Sequence, residues 1–181
     1  MRIIGGKLKG IRLHPPKKLP VRPTTDMAKE ALFNILQNQI ELEGLKVLDL
    51  FSGTGNISLE FASRGASAVT SVDLHYGCVA YLRNTAKELG FEEHKAIKSD
   101  VFKYLNSENQ KYDLIFADPP YDLSLIPQLP KIVFDKQLLE EDGLLIVEHQ
   151  SMQDLSEHPA FVEKRTYGYS SFSFFRNPPI V

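Results

Sequence analysis

Five short apolar runs, Lys46–Leu50, Ala68–Val72, Ala96–Lys98, Leu114–Ala117 and Leu144–Val147, alternate with helix-like stretches, notably 57–64, 76–89 and 124–136. This alternation constrains the fold more than any other feature of the chain. Runs of that length between turn residues form strands buried on both faces, and a helix after each strand returns the chain so that the strands lie parallel. The end of the chain breaks the rhythm. Phe161–Tyr169 and Ser170–Arg176 read as adjacent strands with no helix between them, hence an antiparallel hairpin closing one edge of the sheet. Upstream, Thr24, Thr25 or Asp26 can cap a helix in which Ala28, Ala31, Leu32, Ile35, Leu36 and Ile40 recur at helical spacing. The expected architecture is a three-layer α/β fold with a mostly parallel sheet and a C-terminal antiparallel hairpin.

Charge divides the chain where the helical and strand patterns begin. Residues 1–25 carry seven Lys and Arg and no Asp or Glu, so a +7 arm precedes a remainder of −9 within a net charge of −2. Solubility alone would be served by mixed charges; a one-signed arm is an electrostatic handle for a polyanion. Arg2-Ile3-Ile4-Gly5-Gly6-Lys7-Leu8-Lys9-Gly10-Ile11-Arg12-Leu13 partly alternates apolar and basic residues around Gly-Gly, which predicts a small basic β-hairpin. Pro15, Pro16, Pro20 and Pro23 follow as a stiff connection. The expected division is a basic N-terminal extension over 1–23 that contacts nucleic acid and a main domain over 24–181. With 43% apolar and 24% charged residues the chain is globular in composition. It shows no charged-then-apolar leader and no run of about 18 apolar residues, so neither secretion nor a membrane span is expected. Cys78 is the one cysteine, which excludes an internal disulfide framework and fits a reducing cytoplasm; the five histidines show no paired ligand spacing, so no metal is expected.

Val47-Leu48-Asp49-Leu50-Phe51-Ser52-Gly53-Thr54-Gly55-Asn56 runs from a strand through a glycine turn into a helix. Such a turn lets the backbone approach a ligand and presents unpaired helix N–H groups. Asp73 ends the next strand, 20 residues beyond Gly53, where a carboxylate can grip a ribose diol. The dinucleotide fingerprint would need a third glycine, but position 58 is Ser, and Asp49 would repel a pyrophosphate. A cationic ligand bearing a ribose suits these residues, and S-adenosylmethionine has an ammonium, a sulfonium and an adenosine. Asp100, after the third strand, can accept from an adenine amine, and equally can cap a helix over 101–105.

Leu114-Ile115-Phe116-Ala117 runs directly into Asp118-Pro119-Pro120-Tyr121, at a strand's carboxyl end, where open α/β sheets bind ligands. The exocyclic amine of adenine or guanine is a poor nucleophile because its lone pair is conjugated with the ring. Preplaced acceptors for its N–H groups stabilise the positive charge that develops as a methyl group arrives. Asp118 supplies a carboxylate, and the prolines hold the Pro119 carbonyl in an extended backbone. Tyr121 supplies a stacking face.

These segments together resemble the RsmD family of class I S-adenosylmethionine-dependent methyltransferases. The resemblance rests on Arg2-Ile3-Ile4-Gly5-Gly6-Lys7, Arg22-Pro23-Thr24-Thr25-Asp26, Glu30–Leu36, Asp49-x-Phe-Ser-Gly-Thr-Gly, Asp118–Tyr121, Glu148-His149, Tyr167-Gly168 and Phe172–Arg176, in that order. It implies a Rossmann-like fold and methylation of a guanine N2 amine in 16S ribosomal RNA, of the guanine-966 type, within the small subunit or an assembly intermediate. It implies that Asp49, Phe51, Gly53 and Gly55 surround the methionine part of the cofactor and that Asp73 holds the ribose. It also implies that Asp100 and Val101 hold the adenine, and that Asp118, Pro119 and Tyr121 receive the base, with Asp118 bordering the cofactor as well. Arg2, Lys7, Lys9, Arg12, Arg22 and Thr24 are the candidate RNA contacts. Asp73 stands where a glutamate is commoner in the family. The expected protein is a cytoplasmic monomer. A DNA adenine-N6 methyltransferase, a non-catalytic RNA-binding assembly factor and, more distantly, a nicotinamide oxidoreductase are the rival readings. Cys78 reads as a buried small residue, Glu148-His149 as a sheet-edge pair that is either structural or catalytic, and Phe172, Phe174 and Phe175 as core with one of the last two exposed.

Overall fold

The computed structural model describes residues 1–21 and 24–177, so Arg22 lies outside the described residues. Seven strands form among them, and the chain divides into two compact units, Met1–Val101 and Phe102–Val181.

In the first unit, α1 (Asp26–Gln39) begins where Thr25 Oγ1 accepts the Ala28 N–H at 3.2 Å, which selects the cap from the three candidates. Strands β1 (Lys46–Leu50), β2 (Ala68–Asp73) and β3 (His94–Lys98) are parallel in the order β3-β2-β1, with α2 (Asn56–Ser63) and α3 (Tyr76–Glu88) as the intervening helices. Their core is apolar where the periodicity places it: Leu59, Leu82 and Ala86 pack with Met1, Leu13, Leu89, Phe91 and Ala96, and the Phe33 and Phe61 rings meet edge-on at 4.8 Å. Strand β3 starts two residues before its apolar run because its polar first residues sit on a half-buried edge.

The expected N-terminal hairpin is shorter than a ladder. Its ends pair through a single antiparallel bridge, Arg2 to Arg12, with Ile3 N–H donating to Ile11 O at 2.9 Å and Gly10 N–H to Ile3 O at 2.8 Å. Residues 5–10 form a broad turn because their donors go elsewhere. Ile4 and Gly5 N–H donate to the two oxygens of Glu60 at 2.9 and 2.8 Å, and Lys7 N–H donates to Ser63 O at 2.9 Å. The arm is therefore fastened along α2, whose eight residues are all buried.

The second unit holds most of α4 (Val101–Ser107), then β4 (Tyr112–Ala117), α5 (Gln128–Asp135), β5 (Leu139–Gln150), β6 (Phe161–Tyr167) and β7 (Ser170–Arg176). Strands β4 and β5 are parallel, β5 and β7 antiparallel, and β7 and β6 close the expected hairpin. Strand β5 begins five residues before its apolar run because exposed Glu140, Glu141 and Asp142 interrupt the pattern without ending the strand. Helix α5 begins four residues late. Pro127 precedes it, and a proline disfavours helical geometry in the residue before it. Phe172, Phe174 and Phe175 are all buried, so neither of the last two is exposed as expected. Strand β5 has a neighbour on each side, so Glu148 and His149 do not lie on a sheet-edge strand as expected; both are buried, with His149 Nε2 2.7 Å from Ser173 Oγ.

Candidate functional site

The turn after β1 contains three residues in left-handed backbone geometry within five positions: Phe51 at φ 57°, Gly53 at 55° and Gly55 at 91°. Ser52 N–H donates to Val72 O at 3.1 Å and Gly55 N–H to Ser52 O at 2.9 Å, so the turn is tied to β2 and to itself. Gly55 then caps α2 without a side chain. A Cβ there would stand 2.2 Å from Leu82 Cδ1, so glycine is required by packing as well as by φ.

Asp73 faces this turn from the end of β2. Its Oδ2 accepts the Gly53 N–H at 2.9 Å and its Oδ1 accepts the His75 N–H at 2.9 Å, which fixes the carboxylate plane beside the turn. Each oxygen keeps a further lone pair for a diol. Asp49 lies buried behind the turn, with Ser58 Oγ donating to its Oδ2 at 2.5 Å. Burial pushes Asp49 up to about 7, against the Ser58 bond that lowers it, and the charge of Asp73 adds to the rise. Two carboxylates around a glycine turn are an acceptor set for a cation bearing hydroxyls and disfavour a pyrophosphate. Asp100 and Val101 follow β3; Asp100 is exposed and Val101 is the buried first residue of α4. Cys78 is buried and its thiol is pushed up to about 11, by burial first and then by Asp73, so it is a packing residue rather than a nucleophile.

In the second unit Asp118 is half-buried at the carboxyl end of β4, Pro119 is buried and Tyr121 is half-buried. Leu123 N–H donates to Pro120 O at 3.0 Å and closes the turn behind the motif. The Tyr121 hydroxyl bonds to Ser170 Oγ at the start of β7, which fixes the ring by its far end.

The basic arm is partly committed. Arg2 Nη2 lies 3.3 Å from Asp26 Oδ2, and Lys7 Nζ stands 5.3 Å over the Phe91 ring. Lys9 and Arg12 are exposed, and Thr24 is half-buried with its carbonyl accepting from Asn56 Nδ2 at 3.1 Å. Among the described residues no cluster of three or more His, Cys, Asp or Glu could hold a metal ion. Among the same residues no helix is long and apolar enough to cross a membrane.

Sequence reading missed the charged cluster under the arm. Lys29 Nζ uses its three protons on Arg2 O at 2.7 Å, Asn56 Oδ1 at 2.9 Å and Glu60 Oε1 at 2.9 Å. Arg64 Nε adds a second contact to Glu60 at 2.7 Å. Burial alone would raise Glu60, but the Ile4 N–H, Lys29 and Arg64 together hold it below its usual value; burial pulls Lys29 down, against the opposing pull of Glu60 and Asp26. With every ammonium proton and both carboxylate oxygens partnered, the pair is ionised. The one available signal was charge at the helical-core positions Lys29 and Glu60.

Comparison with known proteins gives consistent results. The family described as Conserved hypothetical protein 95 matches residues 1–176. A Bacillus subtilis protein described as "Putative rRNA methyltransferase YlbH" is 30% identical over 97% of this chain and 98% of its own length. The Escherichia coli K12 protein described as "Ribosomal RNA small subunit methyltransferase D" is 29% identical over 88% of this chain and 80% of its own. Among solved structures, "Putative methyltransferase yhhF from Escherichia coli" superposes with a TM-score of 0.84 at 25% identity, covering 97% of this chain and 96% of that one. The Thermus thermophilus 16S rRNA N2 G1207 methyltransferase in complex with AdoMet and guanosine shares the fold, with a TM-score of 0.72 at 22% identity over 88% of this chain and 45% of that one.

Proposed function

The chain belongs to the Conserved hypothetical protein 95 family, and from that premise we propose that it is an rRNA methyltransferase. It transfers a methyl group from S-adenosylmethionine to the exocyclic N2 amine of a guanine in 16S ribosomal RNA, at a site of the guanine-966 type. The observation that carries this reading is Asp118-Pro119-Pro120-Tyr121 placed at the carboxyl end of β4, with the Tyr121 ring anchored through Ser170. The names of the relatives support the ribosomal RNA substrate. The Thermus enzyme of the same fold supports the cofactor and the N2 amine.

The cofactor supplies an electrophilic methyl group on a cationic sulfur. Asp49, Phe51, Gly53 and Gly55 hold its methionine part, Asp73 its ribose, and Asp100 and Val101 its adenine. The target guanine leaves its stack, as base-modifying enzymes require, and lies against Tyr121. Asp118 and the Pro119 carbonyl accept from the two N2 hydrogens. They orient the nitrogen lone pair toward the methyl carbon and stabilise the positive charge that builds on N2. With the cofactor bound, the N–C bond would form as the S–C bond breaks, the donor would be left as a neutral thioether, and Asp118 would take the extra proton from N2. Arg2, Lys7, Lys9, Arg12 and Arg22 of the extension over 1–23, together with Thr24, meet the RNA, and the domain over 24–181 carries the chemistry. The reaction takes place in the cytoplasm on the small subunit or an assembly intermediate.

The test is label transfer from radioactive S-adenosylmethionine to unmodified small subunits, deproteinised RNA and duplex DNA, with nucleoside analysis of the product. N2-methylguanosine from subunits or RNA is the expected result. Methylated adenine from DNA would overturn the substrate, and an absence of cofactor binding would overturn the enzyme reading. Asp118→Ala lowers turnover by about 10²–10³-fold and leaves cofactor affinity nearly unchanged, because it removes one preplaced charge-stabilising group. Unchanged turnover would remove Asp118 from the mechanism.

A further inference from the structure

Four polar side chains from four elements of the first unit touch end to end beneath the glycine turn. Ser58 Oγ on α2 lies 2.5 Å from Asp49 Oδ2 on β1 and 2.6 Å from Ser71 Oγ on β2, and Ser71 Oγ lies 2.8 Å from His94 Nε2 on β3. Strand register makes this possible. Asp49 is paired with Ser71, and His94 with Val69 two residues before Ser71, so Asp49, Ser71 and His94 emerge on one face of the strands. Ser58, in the place where a dinucleotide turn would carry its third glycine, reaches that face from α2.

Counting hydrogens fixes the direction of the chain. An ionised carboxylate only accepts, so the Ser58 hydroxyl must point to Asp49. Ser58 Oγ then accepts from Ser71, whose own oxygen accepts from the Nε2–H of His94. Protonating Asp49 removes this constraint, because a neutral carboxyl can donate as well as accept and the chain can then run in either direction. His94 is half-buried and burial pulls it down to about 4, so at neutral pH the ring is uncharged; with Asp49 ionised, its single hydrogen sits on Nε2 and is donated to Ser71. Asp73 is the charged group facing Asp49, and it favours the protonated form.

We propose that Ser58, Ser71 and His94 are positioning residues whose aligned hydroxyl and imidazole donors hold Asp49 as an ionised acceptor for the cationic end of S-adenosylmethionine, making cofactor binding proton-linked. This rests on the reading that Asp49 faces the methionine part of the cofactor. Binding a cation favours ionised Asp49, so affinity falls wherever ligand-free Asp49 is protonated. One linked proton with a midpoint near neutrality gives a dissociation constant about tenfold weaker at pH 6 than at pH 8. Removing the Ser58 donor moves the midpoint upward, so Ser58→Ala binds about fivefold more weakly at pH 7 and returns toward wild-type affinity at about pH 9. Ser71→Ala and His94→Phe give smaller displacements in the same direction, and His94→Gln, which keeps an N–H donor, restores the wild-type profile.

The experiment has two readouts on the whole chain. Calorimetric titration with S-adenosylmethionine across pH gives the binding profile. Infrared titration of the ligand-free protein gives the protonated carboxyl band of Asp49, assigned by its loss in Asp49→Asn. An upward movement of both midpoints in Ser58→Ala is expected. A loss of affinity equal at every pH, or an Asp49 band that titrates unchanged in Ser58→Ala, overturns the proposal. If the band moves but wild-type affinity does not depend on pH, the donor chain stands and the placement of Asp49 against the cofactor falls.

Discussion

Replacing Glu60 with Gln tests whether the buried cluster under the basic arm is what holds the arm in place. The substitution keeps size and shape but removes the counter-charge of Lys29, whose side chain is 1% exposed, and of Arg64, at 8%. Breaking a buried ion pair from one side costs about 3–5 kcal/mol, because the remaining charge stays out of water. At about 2–4 °C per kcal/mol for a chain of this size, the midpoint of thermal unfolding should fall by about 6–20 °C. Lys29→Met should cost less, about 1–3 kcal/mol, since Glu60 keeps Arg64 and the Ile4 and Gly5 N–H groups while Arg2 O and Asn56 Oδ1 lose a donor. The double variant should be less damaged than the sum of the singles. Thermal and denaturant unfolding at about 0.1 and 0.5 M salt give the energies; a buried pair is insensitive to that change, unlike a surface one. Amide exchange gives location, with Ile4 and Gly5 losing protection in Glu60→Gln. The carboxylate's depressed value adds a sign. Its stabilising contribution is present above the ordinary value of 4.5 and is lost as pH falls through the folded value, so Glu60→Gln flattens that acid limb. A Glu60→Gln cost below about 1 kcal/mol, or equal protection of Ile4 and Gly5 in both proteins, would refute the reasoning.

Three further perturbations separate the parts of the molecule. Gly55→Ala places a side chain at φ 91° and a Cβ 2.2 Å from Leu82 Cδ1, so strain and overpacking together cost about 2–5 kcal/mol, measurable by denaturant unfolding. Asp49→Asn stabilises the ligand-free protein in alkali while abolishing tight cofactor binding. Because the folded value is raised from 3.8 to about 7, wild-type stability declines as pH rises through that window, by up to about 4 kcal/mol, and the variant lacks the decline. Unfolding midpoints at about pH 5 and 8 check the sign. The double variant Lys9→Ala/Arg12→Ala weakens RNA binding and reduces the slope of log affinity against log salt by about 1–2, with turnover at saturating RNA unchanged. An unchanged slope in a filter-binding assay would remove these two side chains from the RNA contact.

What was legible in the sequence was whatever repeats with a period or demands a special backbone. The Val47–Leu50 and Leu114–Ala117 runs and the glycines at 53 and 55 announced themselves because buried strands must be apolar and left-handed turns favour glycine. Edges were less visible. Strand β5 extends through Glu140–Asp142 by backbone pairing, which tolerates exposed charges and leaves no apolar signal. The N-terminal hairpin departs from its expected ladder for the converse reason. Alternation predicted a ladder, but the Ile4 and Gly5 donors found a carboxylate 55 or more positions away, and a partner at that distance has no local signature. Ser58, Ser71 and His94 were individually unremarkable, and only the register of β1, β2 and β3 brings them into one line.

Helix α2 explains why both unforeseen clusters exist. A helix between a sheet and solvent needs one apolar face, and its polar face is solvated. Helix α2 has no solvated face: Asn56, Ser58, Glu60 and Ser63 are all buried with its apolar residues. Ser58 meets the strand face carrying Asp49 and Ser71, whereas Asn56, Glu60 and Ser63, spaced four and three residues apart, share the opposite stripe and meet Lys29 and the arm. Buried polar groups are tolerated only when partnered, so each stripe requires its own network. The same short helix is capped by Gly55, the last residue of the glycine turn. A displacement of α2 therefore acts on three things together: the glycine turn proposed to hold the cofactor, the donor chain to Asp49, and the arm that carries Lys9 and Arg12. That makes Glu60→Gln informative beyond stability. If the arm alone is loosened, RNA affinity falls while cofactor affinity holds; if α2 shifts as a body, both fall, and the pH midpoint of cofactor binding moves with them.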